Sequence, residues 1–229
     1  EMPEWLKQRL SVIGLRPINN IVDITNYIMM AYGQPLHCFD ADMIKGGKVV
    51  VKAMPDGTPF VALDGTEHKL SAQDLAICNA EEPMCIAGVF GGKGSGTYET
   101  TRNVLLESAY FNPTWIRKSS RRHGLQTDAS FRFERGIDPH GQIYALKAAA
   151  LMAKELAGAK VSMQIKDVVS KEMPDFKVEL RYDFCDRLIG KAIGKETIKS
   201  IVKSLEMKIE KETEEGLSLV VPAYRVDVS

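Results

Sequence analysis

The sequence predicts an α+β fold, with mixed or antiparallel sheets packed against helices, followed by a small α/β module. Three observations carry this. Apolar residues recur at helical spacing at both ends of the first 160 or so positions, and short strand-like runs fill the middle. Helices and strands never settle into regular βαβ alternation. Composition then shifts around Val168–Phe176, where a Lys/Glu-rich segment begins.

Trp5, Leu6, Leu10 and Ile13 mark a first helix that Gly14 stops. A second follows Arg16-Pro17-Ile18-Asn19-Asn20, with Ile21, Ile24, Ile28 and Met29 on one face and Gly33-Gln34-Pro35 at its end. Lys48–Ala53, Phe60–Leu63, Leu75–Cys78, Cys85–Phe90 and Val104–Ala109 read as strands, punctuated by Pro55-Asp56-Gly57 and Asp64-Gly65 turns. Asn112 caps and Pro113 starts a helix that runs to about Arg122, ahead of Gly124. Pro139–Leu156 is the longest helical pattern, Ala-rich and closed by Gly158. In the last segment Lys195–Glu206 reads as a helix with Ile198, Ile201, Val202 and Leu205 inward. Met207–Lys211 and Leu217–Val221 flank a Thr213–Gly216 turn, and Tyr224–Val228 reads as a further strand. Both ends of the chain, Glu1 inside an amphipathic pattern and Ser229 just past a strand, read as cuts in a longer protein.

Thirty Lys+Arg balance thirty Asp+Glu in 229 residues, and 45% of the residues are hydrophobic. That is an ordinary globular composition, and it excludes disorder and collagen-like architecture. Zero net charge argues against nucleic-acid binding by bulk electrostatics, while leaving room for local basic clusters. Cys38, Cys78, Cys85 and Cys185 form no CxxC pair and lack zinc-site spacing, so buried reduced thiols, no metal and a cytoplasmic setting are expected. No apolar run approaches the ~20 residues of a membrane helix.

Four stretches could carry chemistry. In the second helix Asn19, Asp23 and Asn26 form a polar stripe, which suits either a site or capping plus a solvated face. His37 follows in a strand-like run, where a lone histidine is commonly a satisfied core or surface residue. Ile86–Gly96 is rich in glycine and lets backbone N–H groups approach a ligand, but it is neither a Walker loop nor GxGxxG, and a hairpin explains it equally well. Glu107 falls in an apolar strand, facing either solvent or a partner. Finally, Arg117, Lys118, Arg121, Arg122, Arg132 and Arg135 cluster with His123, Phe131 and Phe133, which suits phosphate contacts and base stacking. A helix macrodipole accounts for Arg121 and Arg122 but not for Arg132 and Arg135.

The strings RPINNIVDITNYIMMAYGQPLHCFD, GVFGG, LESAYF and RRHGLQTDASFRFERGIDP closely resemble the editing domain of bacterial phenylalanyl-tRNA synthetase β-subunits. The resemblance covers residues 1–165. After a linker at 166–175, residues 176–229 resemble that subunit's next small domain, a winged-helix-like nucleic-acid-binding module. It implies hydrolysis of tyrosine wrongly esterified to the phenylalanine tRNA, by water attack on the aminoacyl ester. The whole synthetase would need ATP and magnesium, no cofactor is expected in this stretch, and the partners would be that tRNA and an α-subunit in an α2β2 tetramer. The site carried over comprises Thr25 and Asn26 at the amino-acid end, and His37 at the terminal adenosine or at the water. Gly91 and Ala129 leave room for the ring, Thr127 lines the pocket, and Glu107 reads the phenol. Arg121, Arg122, Arg132 and Arg135 are the expected RNA contacts. The competing expectation is a non-catalytic scaffold or RNA-binding module of the same subunit.

Overall fold

A computed structural model describes residues 2–228, so the expectations at Glu1 and Ser229 lie outside the described residues. Two compact units emerge. One holds the residues up to Ile137 together with Gly141–Asp167, the other Asp138–His140 with the chain from Val168 onward.

In the larger unit α1 (Glu4–Val12) and α2 (Asn20–Tyr32) lead into strand β1 (Leu36–Asp40). Asn19 caps α2 by accepting from the N–H groups of Ile21 and Val22, and Gly33 ends it in the left-handed conformation at φ 71°. Strands β2 (Val50–Ala53), β3 (Thr58–Val61), β4 (Glu67–Leu70), β5 (Leu75–Cys78), β6 (Pro83–Ile86), β7 (Phe90–Gly91) and β8 (Val104–Ser108) follow. They form an antiparallel sheet in the order β2-β5-β6-β7, a β3–β4 hairpin and a β1–β8 pair. Helices α3 (Pro113–His123), α4 (Asp128–Phe133) and α5 (Gln142–Ala157) complete the unit.

Two apolar clusters hold it. Leu6, Leu10, Ile24 and Ile28 pack with Ala145, Ala149 and Ala153, whose spacing of four gives α5 a small-residue stripe that lets α2 approach closely. The second cluster joins Phe39, Phe60, Ile77, Ile86, Phe111, Ile116 and Phe133. Between β5 and α3 sits Asp74, fully buried. It accepts from Ser71 N–H at 2.8 Å, from the Ser119 hydroxyl at 2.6 Å and from Arg122, and it contacts His123 Nε2 at 2.7 Å. Burial alone would raise its pKa, but these hydrogen bonds outweigh burial and hold the carboxyl below the usual range.

The smaller unit runs β9 (Phe176–Arg181), α6 (Tyr182–Ile189), α7 (Lys195–Ser204), β10 (Lys208–Glu212) and β11 (Gly216–Val221), with the antiparallel order β10-β11-β9. The architecture is α+β with antiparallel sheets, as the sequence predicts.

Several local expectations are corrected. The long helix begins at Gln142 rather than Pro139, because residues 138–141 form a turn in which Asp138 accepts from His140 N–H. Trp5 and Ile13 are exposed, leaving Leu6 and Leu10 as the inward face of α1. Ile201 and Leu205 are likewise exposed, so α7 buries a narrower stripe of Ile198 and Val202. Cys85–Phe90 is interrupted by a turn at residues 87–89, where Gly88 takes φ 66°. Tyr224–Val228 forms turns instead of a strand, with Arg225 donating to Asp227. Asp74→Ala should lower unfolding stability by about 3–5 kcal/mol, since it strands the partners of a buried carboxylate. Urea unfolding of the variant checks this.

Candidate functional site

The antiparallel register of β1 with β8 sets His37 opposite Glu107. Residues directly opposite on such a pair share a face. Both line one cavity of about 70 Å³, whose other walls include Pro35, Cys85, Gly88, Gly91, Phe111, Ala129 and Phe133. The lining therefore combines polar groups with aromatic rings. The surrounding loops are fixed by named contacts. Gln34 donates to Ala109 C=O at 2.9 Å and receives a bond from Gln142, so the end of α2, β8 and α5 are tied together. Ser108 donates to Gln142 C=O at 2.8 Å.

Neither central group has a hydrogen-bond partner among the described residues. His37 Nε2 is closed off from solvent and unpaired. Its ring packs edge-on against Phe39 at 4.4 Å between centroids. Burial drives its pKa down to about 4, so it is neutral at physiological pH. The same desolvation pushes the Glu107 carboxyl up to about 7, leaving it poised between acid and carboxylate near neutrality. Cys85 donates to the carbonyl oxygens of Phe90 at 3.2 Å and Ile86 at 3.3 Å. Burial, and secondarily Glu107, holds its thiol well above the ordinary range, which makes it a wall and not a nucleophile.

Two glycines shape the cavity by what they lack. A Cβ on Gly91 would come within 2.7 Å of Leu63 Cδ1 and 3.0 Å of His37 Cε1. One on Gly88 would meet Ile116, Phe111 and Phe133, each at 3.0 Å, in a backbone conformation side chains rarely adopt. Phe111 and Phe133 pack edge to face with centroids 5.2 Å apart.

Of the residues expected at the site, His37, Glu107, Gly91 and Ala129 line the cavity. Thr127 stands one step behind it. Its hydroxyl accepts from Ser130 N–H in a capping box that starts α4, and donates to Val89 C=O at 2.9 Å. Thr25 and Asn26 lie on α2 and do not line the cavity; the Thr25 hydroxyl bonds Val22 C=O at 2.8 Å. In the polar stripe, Asn19 is a cap and Asp23 a buried acceptor for Ile18 N–H, so neither is a solvated face. Among the arginines, Arg122 is bound to Asp74 and Gln73, and Arg132 to Asp128 and Met30 Sδ. Arg121 is exposed, and Arg135 lies over the Phe131 ring. Cys85, Phe111 and Phe133 went unnoticed in the sequence as wall residues, because nothing local distinguishes them from core. No group of acids, histidines and cysteines among the described residues could hold a metal.

A family model described as the B3/4 domain matches residues 1–158. The chain belongs to the B3/4 domain family. A model described as the tRNA synthetase B5 domain matches residues 178–229. The B3/4 chain is similar throughout to curated proteins named phenylalanine–tRNA ligase β subunit. That of Bacteroides fragilis is 67% identical over 228 residues, that of Porphyromonas gingivalis 51% over 230, and that of Geobacter metallireducens 44% over 226. It spans 28% of the length of each and is 99–100% covered. A solved N-terminal fragment of the Pyrococcus horikoshii phenylalanyl-tRNA synthetase β-subunit aligns with 91% of this chain and 61% of its own at 14% identity and a TM-score of 0.41, too loosely to carry an argument.

The two central groups make opposite pH predictions. As pH rises from about 4.5 to 7, unfolded Glu107 loses its proton before folded Glu107 does, so this group's contribution to stability falls. Unfolded His37 titrates at 6.5 and folded His37 near 4, so its contribution rises across that range. The wild-type profile is therefore flattened. Glu107→Gln should gain stability relative to wild type progressively between pH 4.5 and 7, as measured by urea melts at each pH; a difference independent of pH would refute the assigned burial.

Proposed function

We propose that this B3/4 chain is the editing part of a phenylalanine–tRNA ligase β subunit, hydrolysing tyrosine wrongly attached to the phenylalanine tRNA. The observation that carries this is the desolvated Glu107 carboxyl in a cavity, opposite a buried and unpartnered His37 Nε2 and among aromatic wall residues. An apolar pocket rejects a hydroxylated near-isostere only ~10²-fold, so a synthetase that must exclude tyrosine benefits from a second site that binds the hydroxyl. Phenol O–H both donates and accepts, and Glu107 offers the complementary group in either protonation state. Phenylalanine would cover that desolvated carboxyl without pairing it.

In the reaction, water oxygen adds to the ester carbonyl carbon, the bond to the ribose oxygen breaks, and a water proton ends on that oxygen. Neutral His37 orients the water or the terminal adenosine. Cys85 is held by backbone oxygens, and no covalent intermediate is invoked. The relatives' name, a β subunit of a ligase, supports an α-subunit partner; the α2β2 tetramer, the cytoplasmic setting and the use of ATP and magnesium elsewhere in the enzyme belong to the same proposal. Among the described residues no helix is long and apolar enough to cross a membrane.

Ester loss from tyrosyl- and phenylalanyl-tRNA for phenylalanine tests the reading. A hydrogen bond to a charged group contributes roughly 1.5–3 kcal/mol, so Glu107→Ala should slow tyrosyl hydrolysis about tenfold to hundredfold more than phenylalanyl hydrolysis. Ala129→Trp should slow both by filling the cavity. A Glu107→Ala protein that keeps the tyrosyl preference, or loses both activities equally with a lower melting temperature, would assign Glu107 to the scaffold.

A further inference from the structure

Helix α4 presents two faces. Ala129 and Phe133, four apart, line the cavity, whereas Phe131 between them turns outward and is 53% exposed. A large exposed aromatic is ordinarily free to move, but this one is covered by a cation. The Arg135 guanidinium sits 3.5 Å from the Phe131 ring centroid while donating to Phe131 C=O at 2.9 Å and to Glu134 Oε1 at 2.8 Å. Those bonds fix the planar group in a stacked position and leave its side chain half exposed. Around it the charge is one-sided. Residues 113–136 carry six Lys or Arg against Asp128 and Glu134, in a chain of zero net charge. Arg122 and Arg132 are engaged in internal pairs, whereas Arg121 and Lys118 are exposed.

We infer that the Phe131–Arg135 stack is a platform for a nucleobase in the single-stranded 3′ end of the RNA whose ester enters the cavity. Aromatic faces and guanidinium planes are the groups on which unstacked bases settle, without reading their sequence. Pre-ordering the pair lowers the entropy lost on binding. An α-helix is only about 10–12 Å across with its side chains, so the platform lies a short single-stranded span from the ester site. Phe131 is thus a positioning residue, with the exposed Arg117, which donates to Glu134 C=O at 3.0 Å, as a nearby phosphate partner. The inference rests on the editing reading for what the RNA delivers, and its test does not.

The probe is a fluorescent RNA hairpin with a single-stranded 3′ overhang, compared with the same hairpin blunt-ended, titrated onto the whole chain by anisotropy. Wild type should bind the overhang form more tightly. Stacking of one base is worth roughly 1–3 kcal/mol, so Phe131→Ala should weaken overhang binding about fivefold or more and leave the blunt form unchanged. Phe131→Tyr should retain the preference, and Arg135→Lys, which keeps charge but not the plane, should lose much of it. Since Phe131 is exposed, the variants should melt with wild type. Equal affinity of wild type for the two hairpins, or an overhang preference that survives Phe131→Ala, would overturn the platform. If RNA binding behaves as expected but no ester is hydrolysed, the editing reading fails and the platform stands.

Discussion

Antiparallel pairing of β1 with β8 places the His37 imidazole and the Glu107 carboxyl on one face, inside a cavity where neither meets a protein partner. An unsatisfied buried polar group costs roughly 1–3 kcal/mol, and more when it is charged, so the surroundings must hold both groups in place against that cost. Much of the larger unit serves this. Gln34 fastens the end of α2 to β8, and Gly91 gives the histidine ring its room. The Phe111–Phe133 pair packs against Gly88 in the cavity wall, and Thr127 ties α4 to the loop at Val89. Asp74 anchors α3 beside the start of β5.

Desolvation then fixes the chemistry. It acts in opposite directions on an acid and a base, raising Glu107 toward 7 and lowering His37 toward 4. Near neutrality the site therefore holds a neutral imidazole beside a carboxyl that can accept or donate. Such a pair suits a neutral hydroxylated ligand better than a charged one. Cys85, despite its place in the wall, is kept protonated by the same burial.

Elements with strong local signals were legible from the sequence. Asn19 and Asn112 cap their helices, and Gly33, Gly124 and Gly158 end theirs in the left-handed conformation. Helix α4 escaped notice because six residues are too few to show a period, although Thr127 and Ser130 spell a capping box. Asp74 escaped because its side-chain partners lie 45–49 positions away. Likewise, no local pattern in β1 or β8 tells which residues will face each other. Glu107 and His37 were named through family resemblance, whereas their juxtaposition comes from register. The resemblance also implies Thr25 and Asn26, which belong to α2 and are not among the residues that line the cavity.

On the proposed editing function, Glu107 is a desolvated carboxyl that distinguishes a phenol from a phenyl ring. Carbon-13 NMR titration of the Glu107 carboxyl, in the free protein and with saturating tyrosine or phenylalanine ester analogues, reads it directly. Glu107 should titrate near 7 in the free protein, and at lower pH with the tyrosine analogue, whose O–H donates to the carboxylate, but not with the phenylalanine analogue. Titration at an ordinary glutamate value, or the same shift with both analogues, would contradict it.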